Sequence, residues 1–218
     1  MTTLIIATRN AHKVGEIQDI LGAQFRCLTL REFPEAPPVI EDADTFAGNA
    51  TKKAEELARW LQSQIPNPQS SILKAPAFVL ADDSGLEVDA LHGAPGVHSA
   101  RFATLDTIAE GNAPDADNNA KLLRLLRDVP EGRRGARFRC VIALTPVLAA
   151  SNEPATLLFD GACEGRITFT ASGAKGFGYD PLFVPEGFAQ SFAELGEDVK
   201  NRISHRAQAL AKLRAHFA

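Results

Sequence analysis

The chain has 218 residues, of which 45% are hydrophobic and 23% charged, and these values suit one folded domain with a substantial core. The net charge of −4 disfavours binding to nucleic acid, which normally requires a surplus of basic residues, but still allows a small anionic substrate. The longest mainly apolar run, at 141–150, is far shorter than the roughly 20 residues of a membrane helix, so no membrane partner is expected.

Strand-like and helix-like patterns alternate along the chain, which predicts a mixed α/β order. The elements predicted in chain order are strand 4–8, helix 14–21, strand 26–30, helix 46–61, strand 78–81, strand 86–91, helix 117–127, strand 136–144, strands 155–159 and 166–170, and a last helix from Ser204. The inner face of the 117–127 helix is predicted to hold Ala120, Leu123 and Leu126, and that of the last helix Leu210, Leu213 and Phe217.

The connecting segments are rich in polar and turn-forming residues. A Pro- and acid-rich loop is predicted at 34–44, a Ser/Pro-rich surface loop at 62–77, and a Gly/Pro-rich loop at 92–102. The chain carries neither the glycine fingerprint of a dinucleotide fold nor a Walker loop. The sequence therefore predicts one domain over 1–218 that is not built around either of these phosphate-binding loops.

The N-terminus and the cysteines indicate the compartment. The opening sequence MTTLIIATR lacks both a basic lead and a long apolar stretch, so we do not expect a secretory signal. Cys27, Cys140 and Cys163 form no C-x-x-C pair and lie in apolar, strand-like stretches, which is typical of buried reduced thiols. We therefore expect a cytoplasmic protein.

The first candidate site lies where the first strand gives way to a helix. Thr8, Asn10 and Lys13 would stand at the positive end of that helix, where free N–H groups and added donors favour an anion. The alternative is an N-capping turn with a solvated lysine.

Two adjacent carboxylates, Asp82 and Asp83, follow a predicted buried strand in the sequence Asp-Asp-Ser-Gly. Because side chains alternate along a strand, one carboxylate should point into the fold and the other toward the loops. Hard oxygen ligands at a rigid strand end suit Mg²⁺. The alternative is a turn in which an Asp caps backbone N–H groups.

Polar residues before and within the second predicted helix could complete such a site. Glu41, Asp42 and Asp44 lie in the acidic loop, and one of them could supply a second metal ligand, although a solvated charged loop explains them equally well. Asn49 and Lys53 lie four residues apart and share a helix face that could reach a phosphate or simply meet solvent.

The segment 173–181, GAKGFGYDP, combines three glycines with Phe177 and Tyr179. Glycines let a backbone approach a ligand closely, and an aromatic ring there suits stacking on a base. Asp180 can accept hydrogen bonds from a base or sugar. The alternative is a tight turn whose aromatic side chains fill the core.

Ser204, His205 and Arg206 open the last predicted helix, with Lys200 just before it. Donors at the positive end of a helix suit an acceptor such as a carbonyl oxygen. The alternative is a capped and solvated first turn.

Taken together, these segments resemble the inosine triphosphate pyrophosphatase family, the dITP/XTP pyrophosphatases. The likeness runs from Ile6 to Arg206 and includes ATRNAHK at 7–13, TF-x-x-NA-x-x-KA at 45–54, ADDSGLEVDAL at 81–91, GAPGVHSAR at 93–101, FGYDP at 177–181 and SHR-x-x-A from Ser204. Any one of these motifs is weak, but six in the family's order are highly specific. The 62–77 segment is longer and more Pro-rich than is usual for the family, which affects only the local surface or assembly.

The resemblance implies a fold, a cofactor and a set of partners. It implies an α/β fold with a long mixed central β-sheet flanked by helices, in two lobes around a substrate cleft. It also implies a homodimer, Mg²⁺ as cofactor, and a purine nucleoside triphosphate as the small-molecule substrate.

The resemblance also implies a role for individual residues. Asp83 would accept a proton and bind magnesium, with Glu41 as a second metal ligand. The implied triphosphate ligands are Thr8, Arg9, Asn10, Ala11, His12, Lys13, Lys53 and Lys200. Ser84 would contact the substrate, and the implied base-binding residues are Phe177, Gly178, Tyr179, Asp180, His205 and Arg206.

The expected reaction converts ITP, dITP or XTP to the monophosphate and pyrophosphate. Because an ordinary Asp has a pKa near ~3.9, metal and positioning should contribute more than Asp83 as a base. Donors from His205 and Arg206 would pair with the 6-carbonyl of hypoxanthine or xanthine and oppose the 6-amino group of adenine. Two alternatives stay open: a pyrophosphatase for modified pyrimidine nucleotides, and a nucleotide-binding regulatory module without turnover.

Overall fold

The computed structural model describes residues 1–64, 76–108, 111–147 and 155–218. The α-helices of these residues are α1 (Ala11–Leu21), α2 (Phe46–Gln64), α3 (Asp115–Leu125), α4 (Phe192–Leu195), α5 (Glu197–Ile203) and α6 (His205–His216). The strands are β1 (Thr3–Ile6), β2 (Arg26–Thr29), β3 (Ala77–Val88), β4 (Gly135–Pro146), β5 (Leu157–Ile167) and β6 (Phe183–Pro185). Most predicted elements are therefore present.

The strands of the described residues form one mixed sheet in the order β2-β1-β3-β4-β5-β6. β1 pairs in parallel with β2 and with β3, whereas β5 pairs antiparallel with β6. Helices flank this sheet, so the predicted α/β class with a long mixed central β-sheet is confirmed. The predicted substrate cleft between two lobes stays a prediction.

The chain divides into two compact units, each with buried apolar residues of its own. The first unit comprises Met1–Asp83, Val141–Asp160 and Ala209–Ala218, and the second comprises Ser84–Cys140 and Gly161–Gln208. Fully buried side chains of the first unit include Ile5, Ile17, Ala54, Leu80 and Leu210. The core cluster of the second unit includes Leu86, Phe138, Tyr179, Phe183 and Phe192.

One strand, β3, corrects the prediction that a buried strand ends at Asp-Asp-Ser-Gly, and it also excludes the alternative of a turn there. β3 runs without interruption from Ala77 to Val88 and only then enters a short 3-10 turn, Asp89–Leu91. It lies between β1 and β4, so its backbone groups find partners on two sides, and this pairing overrides the local turn preference of Asp and Gly. The two carboxylates consequently lie in the middle of a strand.

The helices agree with their predicted bounds within a few residues, and one buried face was predicted only in part. α2 buries Phe46, Ala50, Leu57 and Leu61 as predicted and continues to Gln64. For the third predicted helix, Leu126 is buried and Leu123 packs against the core as predicted, but Ala120 is exposed. Within α3 itself the buried residues are Asn118, Lys121 and Leu122. The ammonium of Lys121 donates to the carbonyl oxygen of Phe102 at 2.7 Å, so a buried hydrogen bond places a charged residue on the inner face. On α6, Leu210 and Leu213 are buried as predicted, while Phe217 is half-buried.

The remaining differences are local. The two β patterns at 155–159 and 166–170 belong to a single strand, β5, which ends at Ile167, and the predicted loop at 92–102 contains the 3-10 turn Gly96–Arg101. The predicted Ser/Pro-rich loop at 62–77 lies mostly outside the described residues. No helix among the described residues is both long enough and apolar enough to cross a membrane. Cys140 and Cys163 are buried, Cys27 is half-buried, and all three are free thiols.

Candidate functional site

Charged and polar side chains of the first unit form a connected group that we call the acid–lysine cluster. Its members are Lys13, Glu41, Asn49, Lys53, Asp82 and Asp83. They come from α1, the acidic loop, α2 and the middle of β3. The cluster joins residues up to 69 positions apart, so it exists only because the chain folds.

Asp82 pairs with Lys13. The ammonium of Lys13 lies 2.5 Å from Oδ1 of Asp82, whose side chain is completely buried, while the side chain of Lys13 is 16% exposed. A buried carboxylate without a partner would be strongly disfavoured, so this ion pair explains why an acid is tolerated in a buried strand.

Asp83, the next residue of β3, contacts α2. Its Oδ1 lies 3.2 Å from the ammonium of Lys53, and its Oδ2 accepts a hydrogen bond from Nδ2 of Asn49 at 3.2 Å. Lys53 also pairs with Glu41 at 2.8 Å and donates to the carbonyl oxygen of Asp82 at 2.8 Å. Neighbouring side chains of a strand point to opposite faces, which is why Asp82 and Asp83 meet lysines from different helices. Both carboxylates are buried, and Asp83 interacts with Glu41 of the acidic loop.

The cluster holds three carboxylates and two ammonium groups, and the pKa values of Asp83, Glu41 and Lys53 are all shifted. Burial, together with the nearby Glu41 and Asp82, raises the pKa of Asp83 to about 6, although Lys53 and Lys13 oppose the rise. For Glu41, burial alone would raise the pKa, but the charge and hydrogen bond of Lys53 lower it overall. The pKa of Lys53 is raised despite burial because Asp83 and Glu41 stabilise its charged form.

The donor set of the cluster fits Mg²⁺. Among the described residues, no three or more His, Cys, Asp or Glu side chains are grouped as a complete metal cage. Glu41 and Asp83 are nevertheless two carboxylates that share one lysine, and Mg²⁺ usually binds through one or two carboxylates, waters and substrate phosphates. Burial raises the pKa of Asp83, and a divalent cation beside this carboxylate would favour its ionised form.

The predicted phosphate segment forms the N-terminal turn of α1. Asn10 is the N-cap, and its Oδ1 accepts from the N–H groups of His12 and Lys13 at 2.9 and 3.2 Å. Thr8 Oγ1 in turn accepts from the N–H of Asn10 at 3.2 Å, and the guanidinium of Arg9 donates to the carbonyl oxygen of Ala36 at 2.9 Å. The capping half of the alternative is therefore realised, but Lys13 is paired with Asp82 and is not a solvated lysine. The exposed residues of this turn are Arg9, Asn10, Ala11 and His12.

In the second unit, the segment 173–181 forms an irregular connection that we call the glycine loop. Asp180 is 1% exposed, and its Oδ2 accepts from the N–H of Phe177 at 2.9 Å and from the ammonium of Lys200 at 2.6 Å. A side chain at Gly176 would collide with the Asp180 carboxylate, so only glycine fits there. Lys200 also lies 4.3 Å from the ring centroid of Phe177. Its predicted role as a phosphate ligand would require this buried pair to open.

The two aromatic residues of the glycine loop differ in exposure. Phe177 is half-buried, whereas Tyr179 is 3% exposed and packs in the core of the second unit. The hydroxyl of Tyr179 donates to the carbonyl oxygen of Ser99 at 2.9 Å, and burial raises its pKa well above the usual range. Tyr179 therefore anchors the loop, which leaves Phe177 as the aromatic with exposed surface.

His205 and Arg206 occupy the first turn of α6 behind the N-cap Ser204, whose Oγ accepts from the N–H of Ala207 at 3.2 Å. They are 4% and 1% exposed, so the predicted cap is present, but the turn is not solvated. The guanidinium of Arg206 donates to Oγ of Ser84 at 2.9 Å, and the ring of His205 stacks on Phe138 with centroids 4.9 Å apart. The structure thus brings Ser84 and Arg206 together.

Two further contributors were missed by sequence reasoning. Asp115 accepts from the N–H of Gly178, and Asn119 donates to its carbonyl oxygen, so both residues of α3 touch the glycine loop. The spacing of four between them shows only that they share a helix face, and no local signal says what that face meets. For Asn49 two interpretations were open, a phosphate or solvent; it is 1% exposed, which excludes solvent, and its amide donates to Asp83.

Comparison with known proteins identifies the family. A model of the Ham1 family matches residues 4–216. The chain belongs to the Ham1 family. A protein of Opitutus terrae named dITP/XTP pyrophosphatase is 46% identical over 217 residues, with 96% of each chain covered. A protein of Shouchella clausii with the same name is 43% identical over 216 residues, with 98% of this chain and 96% of the relative covered.

A solved structure of a HAM1 protein from Coxiella burnetii has a TM-score of 0.78 and 36% identity, with 100% of this chain and 98% of that chain covered. The fold of the Ham1 family is therefore the fold of this chain. The family match includes the acid–lysine cluster, the glycine loop and the start of α6, which confirms the resemblance inferred from the six motifs. The roles of individual residues toward phosphate, metal and base stay predictions.

Proposed function

We propose that the protein hydrolyses the non-standard purine nucleotides ITP, dITP and XTP to the monophosphate and pyrophosphate. The observation that carries the proposal is the acid–lysine cluster, where Asp83 has a raised pKa and lies beside two lysine-bound carboxylates. The names of the related dITP/XTP pyrophosphatases of the Ham1 family support the same substrate class.

Asp83 would accept the proton of the attacking water. Without metal the pKa of Asp83 is about 6, so its carboxylate is mainly ionised at neutral pH and can accept a proton. The hydrogen bond from Asn49 holds one oxygen of Asp83, and Lys53 holds the other, so the carboxylate has a defined orientation. As the water oxygen bonds to the α-phosphorus, the bond from that phosphorus to the bridging oxygen breaks, and pyrophosphate leaves.

The two lysines of the cluster would stabilise the charge that grows on the leaving pyrophosphate. Lys13 is partly exposed, and Lys53 is held between two carboxylates. Cations that are already in place when charge develops stabilise the transition state more than the ground state.

We also propose Mg²⁺ as the cofactor, with Asp83 and Glu41 as the residues that would hold it. Their carboxylates are hard oxygen ligands, and the side chain of Glu41 is 40% exposed and so accessible from solvent. Bound Mg²⁺ would supply positive charge to the phosphate oxygens and orient the substrate.

The base would be held by residues of the second unit. The guanidinium of Arg206 carries five donors, and it donates to Oγ of Ser84 in the structure. Donors of this kind favour the 6-carbonyl of hypoxanthine and xanthine and oppose the amino group of adenine. Phe177, with its exposed surface, would stack on the base.

A substrate panel tests the function. Purified protein is incubated with ITP, dITP, XTP, ATP, GTP and modified pyrimidine triphosphates, with and without Mg²⁺, and pyrophosphate and orthophosphate are measured separately. We expect Mg²⁺-dependent pyrophosphate release that is fastest with ITP, dITP and XTP. Orthophosphate as the first product, a preference for pyrimidines, or binding without turnover would each overturn the proposal.

Two expectations about the protein in the cell accompany this function. We propose a homodimer in the cytoplasm, on the basis of the family resemblance and of three free cysteines without a C-x-x-C pair. Light scattering coupled to size-exclusion chromatography tests the dimer, and a monomer at micromolar concentration would contradict it.

A further inference from the structure

Helix α3 holds the peptide groups of Gly178 from two directions. Oδ2 of Asp115 accepts a hydrogen bond from the N–H of Gly178 at 2.6 Å, and Nδ2 of Asn119 donates to the carbonyl oxygen of Gly178 at 2.9 Å. Asp115 and Asn119 are four residues apart and therefore lie on one face of α3. We call this pair the Gly178 clamp.

The helix that carries the clamp is anchored independently of the glycine loop. The side chain of Asn118 donates to the carbonyl oxygen of Ala100 at 3.2 Å and accepts from the N–H of Ala103 at 2.8 Å. The ammonium of Lys121 bonds to the carbonyl oxygen of Phe102 at 2.7 Å, and Leu122 is fully buried. A helix tied down by buried side chains is a rigid platform for the groups on its other face.

Gly178 needs such support because its backbone conformation is a costly one to fix. Its φ of 62° lies in the left-handed region, and an added Cβ would meet nothing within 4 Å, so glycine is required for its backbone angle and not for space. Glycine loses more conformational freedom on ordering than any other residue. Two hydrogen bonds to one residue offset that loss.

The clamp acts on the part of the loop that carries Phe177. Gly178 separates Phe177 from Tyr179, which is already anchored through its bond to Ser99. Phe177 is only half-buried, and the clamp adds to the hydrogen bond that its N–H donates to Asp180. Release of Gly178 would therefore alter the position of Phe177 more than that of Tyr179.

The amide of Asn119 is oriented by this one contact. Its Oδ1 is buried and has no hydrogen-bond partner among the described residues, and a flipped amide would set two oxygens against each other at Gly178. A buried acceptor without a partner costs free energy. The amide of Asn119 keeps this orientation despite that cost because its Nδ2 donates to Gly178.

We propose that Asp115 and Asn119 are positioning residues that keep the glycine loop in its base-binding conformation, an inference that rests on the proposed function. If the loop of the free protein already has the binding conformation, no binding energy is spent on ordering it. Without the clamp only a fraction of molecules is competent, and the apparent affinity for the base falls by that fraction while the chemical step is unchanged.

The test compares kinetics and product inhibition in Asn119→Ala, Asn119→Asp and Asp115→Ala, with Asp115→Asn as the conservative variant. Asp115→Asn retains an oxygen that can accept from Gly178. Asp117→Ala is the matched control, because Asp117 is an exposed acid in the same first turn of α3.

We expect Asn119→Ala and Asp115→Ala to raise the KM for ITP about tenfold, the size of effect of one lost hydrogen bond, with kcat unchanged within about twofold. Inhibition by IMP should weaken by the same factor, whereas inhibition by pyrophosphate should not change. Asn119→Asp, which sets an oxygen against the Gly178 carbonyl, should raise KM at least as much. Asp115→Asn should restore most of the affinity, and Asp117→Ala should behave as the unmodified protein.

The two proposals fail in different ways. An unmodified protein that releases no pyrophosphate from ITP overturns the proposed function and the positioning role with it. Two results with an active protein would overturn the positioning role alone. In the first, the Asn119 and Asp115 variants keep the KM for ITP. In the second, they lose inhibition by IMP and by pyrophosphate equally, and their melting temperature falls.

Discussion

The acid–lysine cluster and the glycine loop are held together by different kinds of interaction. In the cluster, three carboxylates meet two ammonium groups, and the residues come from separate helices and a strand. In the glycine loop, one carboxylate meets one ammonium, since Asp180 and Lys200 form a pair whose side chains are 2% and 3% exposed. The remaining support of the loop comes from hydrogen bonds to its backbone.

The two regions therefore differ in what their interactions do: those of the cluster affect the ionisation of Asp83, and those of the glycine loop hold its backbone. Burial raises the pKa of Asp83 to about 6, although Lys53 and Lys13 oppose the rise, so this carboxylate can exchange a proton near neutral pH. The glycine loop has a balanced buried pair and fixed peptide groups, so it presents a surface of constant shape.

Loss of the proton acceptor should have the largest effect. Asp83→Asn is nearly isosteric and should lower kcat by about 10²–10⁴-fold, the range typical of a lost general base. Pyrophosphate release measures the effect, and circular dichroism checks that the variant folds. Asp42→Asn is the control, because Asp42 is an exposed acid whose partner is Lys52. Unchanged turnover in Asp83→Asn would remove Asp83 from the mechanism.

Removal of a buried cluster cation should destabilise the fold, whereas removal of its exposed neighbour should not. Lys53→Met leaves Asp83 and Glu41 without their shared ammonium and should lower the free energy of unfolding by about 3–5 kcal/mol. Lys52→Met breaks only a surface pair with Asp42 and should have little effect. Urea unfolding followed by circular dichroism gives both values. Equal stability losses in the two variants would show that burial does not distinguish the lysines.

A change at Arg206 should alter the selectivity between purine bases and leave the chemical step unaffected. Arg206→Lys keeps the positive charge but loses the planar donor fork, so the ratio of kcat/KM for ITP to that for ATP should fall about tenfold. Arg202→Lys, on the exposed face of α5, is the control. The ratio is measured from pyrophosphate release with each substrate. An unchanged ratio would place recognition of the 6-carbonyl elsewhere.

The smallest effect concerns stability and pH in the absence of metal. The pKa of Asp83 is about 6 in the folded protein and about 3.9 in the unfolded chain. Between these two values the unfolded chain is ionised at Asp83 and the folded protein is not. A rise in pH through this window therefore destabilises the folded state. Asp83→Asn cannot ionise. Relative to this variant, the unmodified protein should therefore lose stability between pH 4 and pH 7, by on the order of 1–3 kcal/mol.

Urea titrations of both proteins in EDTA measure this difference, and comparison of the pair cancels the other titrating groups. A stability difference that does not change with pH would show that burial does not raise the pKa of Asp83 in the folded protein.

Much of the fold was predictable because its signals are local. The inner face of α2, with Phe46, Ala50 and Leu57, follows from helical periodicity alone, and Ser204 caps α6 as expected. α4 was not predicted, although Ser191 and Glu194 form a capping box whose pattern is visible in the sequence.

The sequence singled out several residues of the acid–lysine cluster, but it did not predict which residues they contact. The resemblance to a family singled out Asp83, Lys13 and Lys53, and the structure joins all three in one cluster. The burial of Lys200 beside Asp180 and the contact of Asn119 with Gly178 lay beyond sequence reasoning, because each depends on which segments pack together.

The order of helices and strands, the helix caps and the family motifs follow from the amino-acid sequence because each depends on residues a few positions apart. The path of β3 straight through Asp-Asp-Ser-Gly depended instead on strand partners on two sides. The pKa of Asp83 likewise depended on its burial and on Lys53 and Lys13 from two helices, because a pKa responds to burial and to charges that only folding brings near.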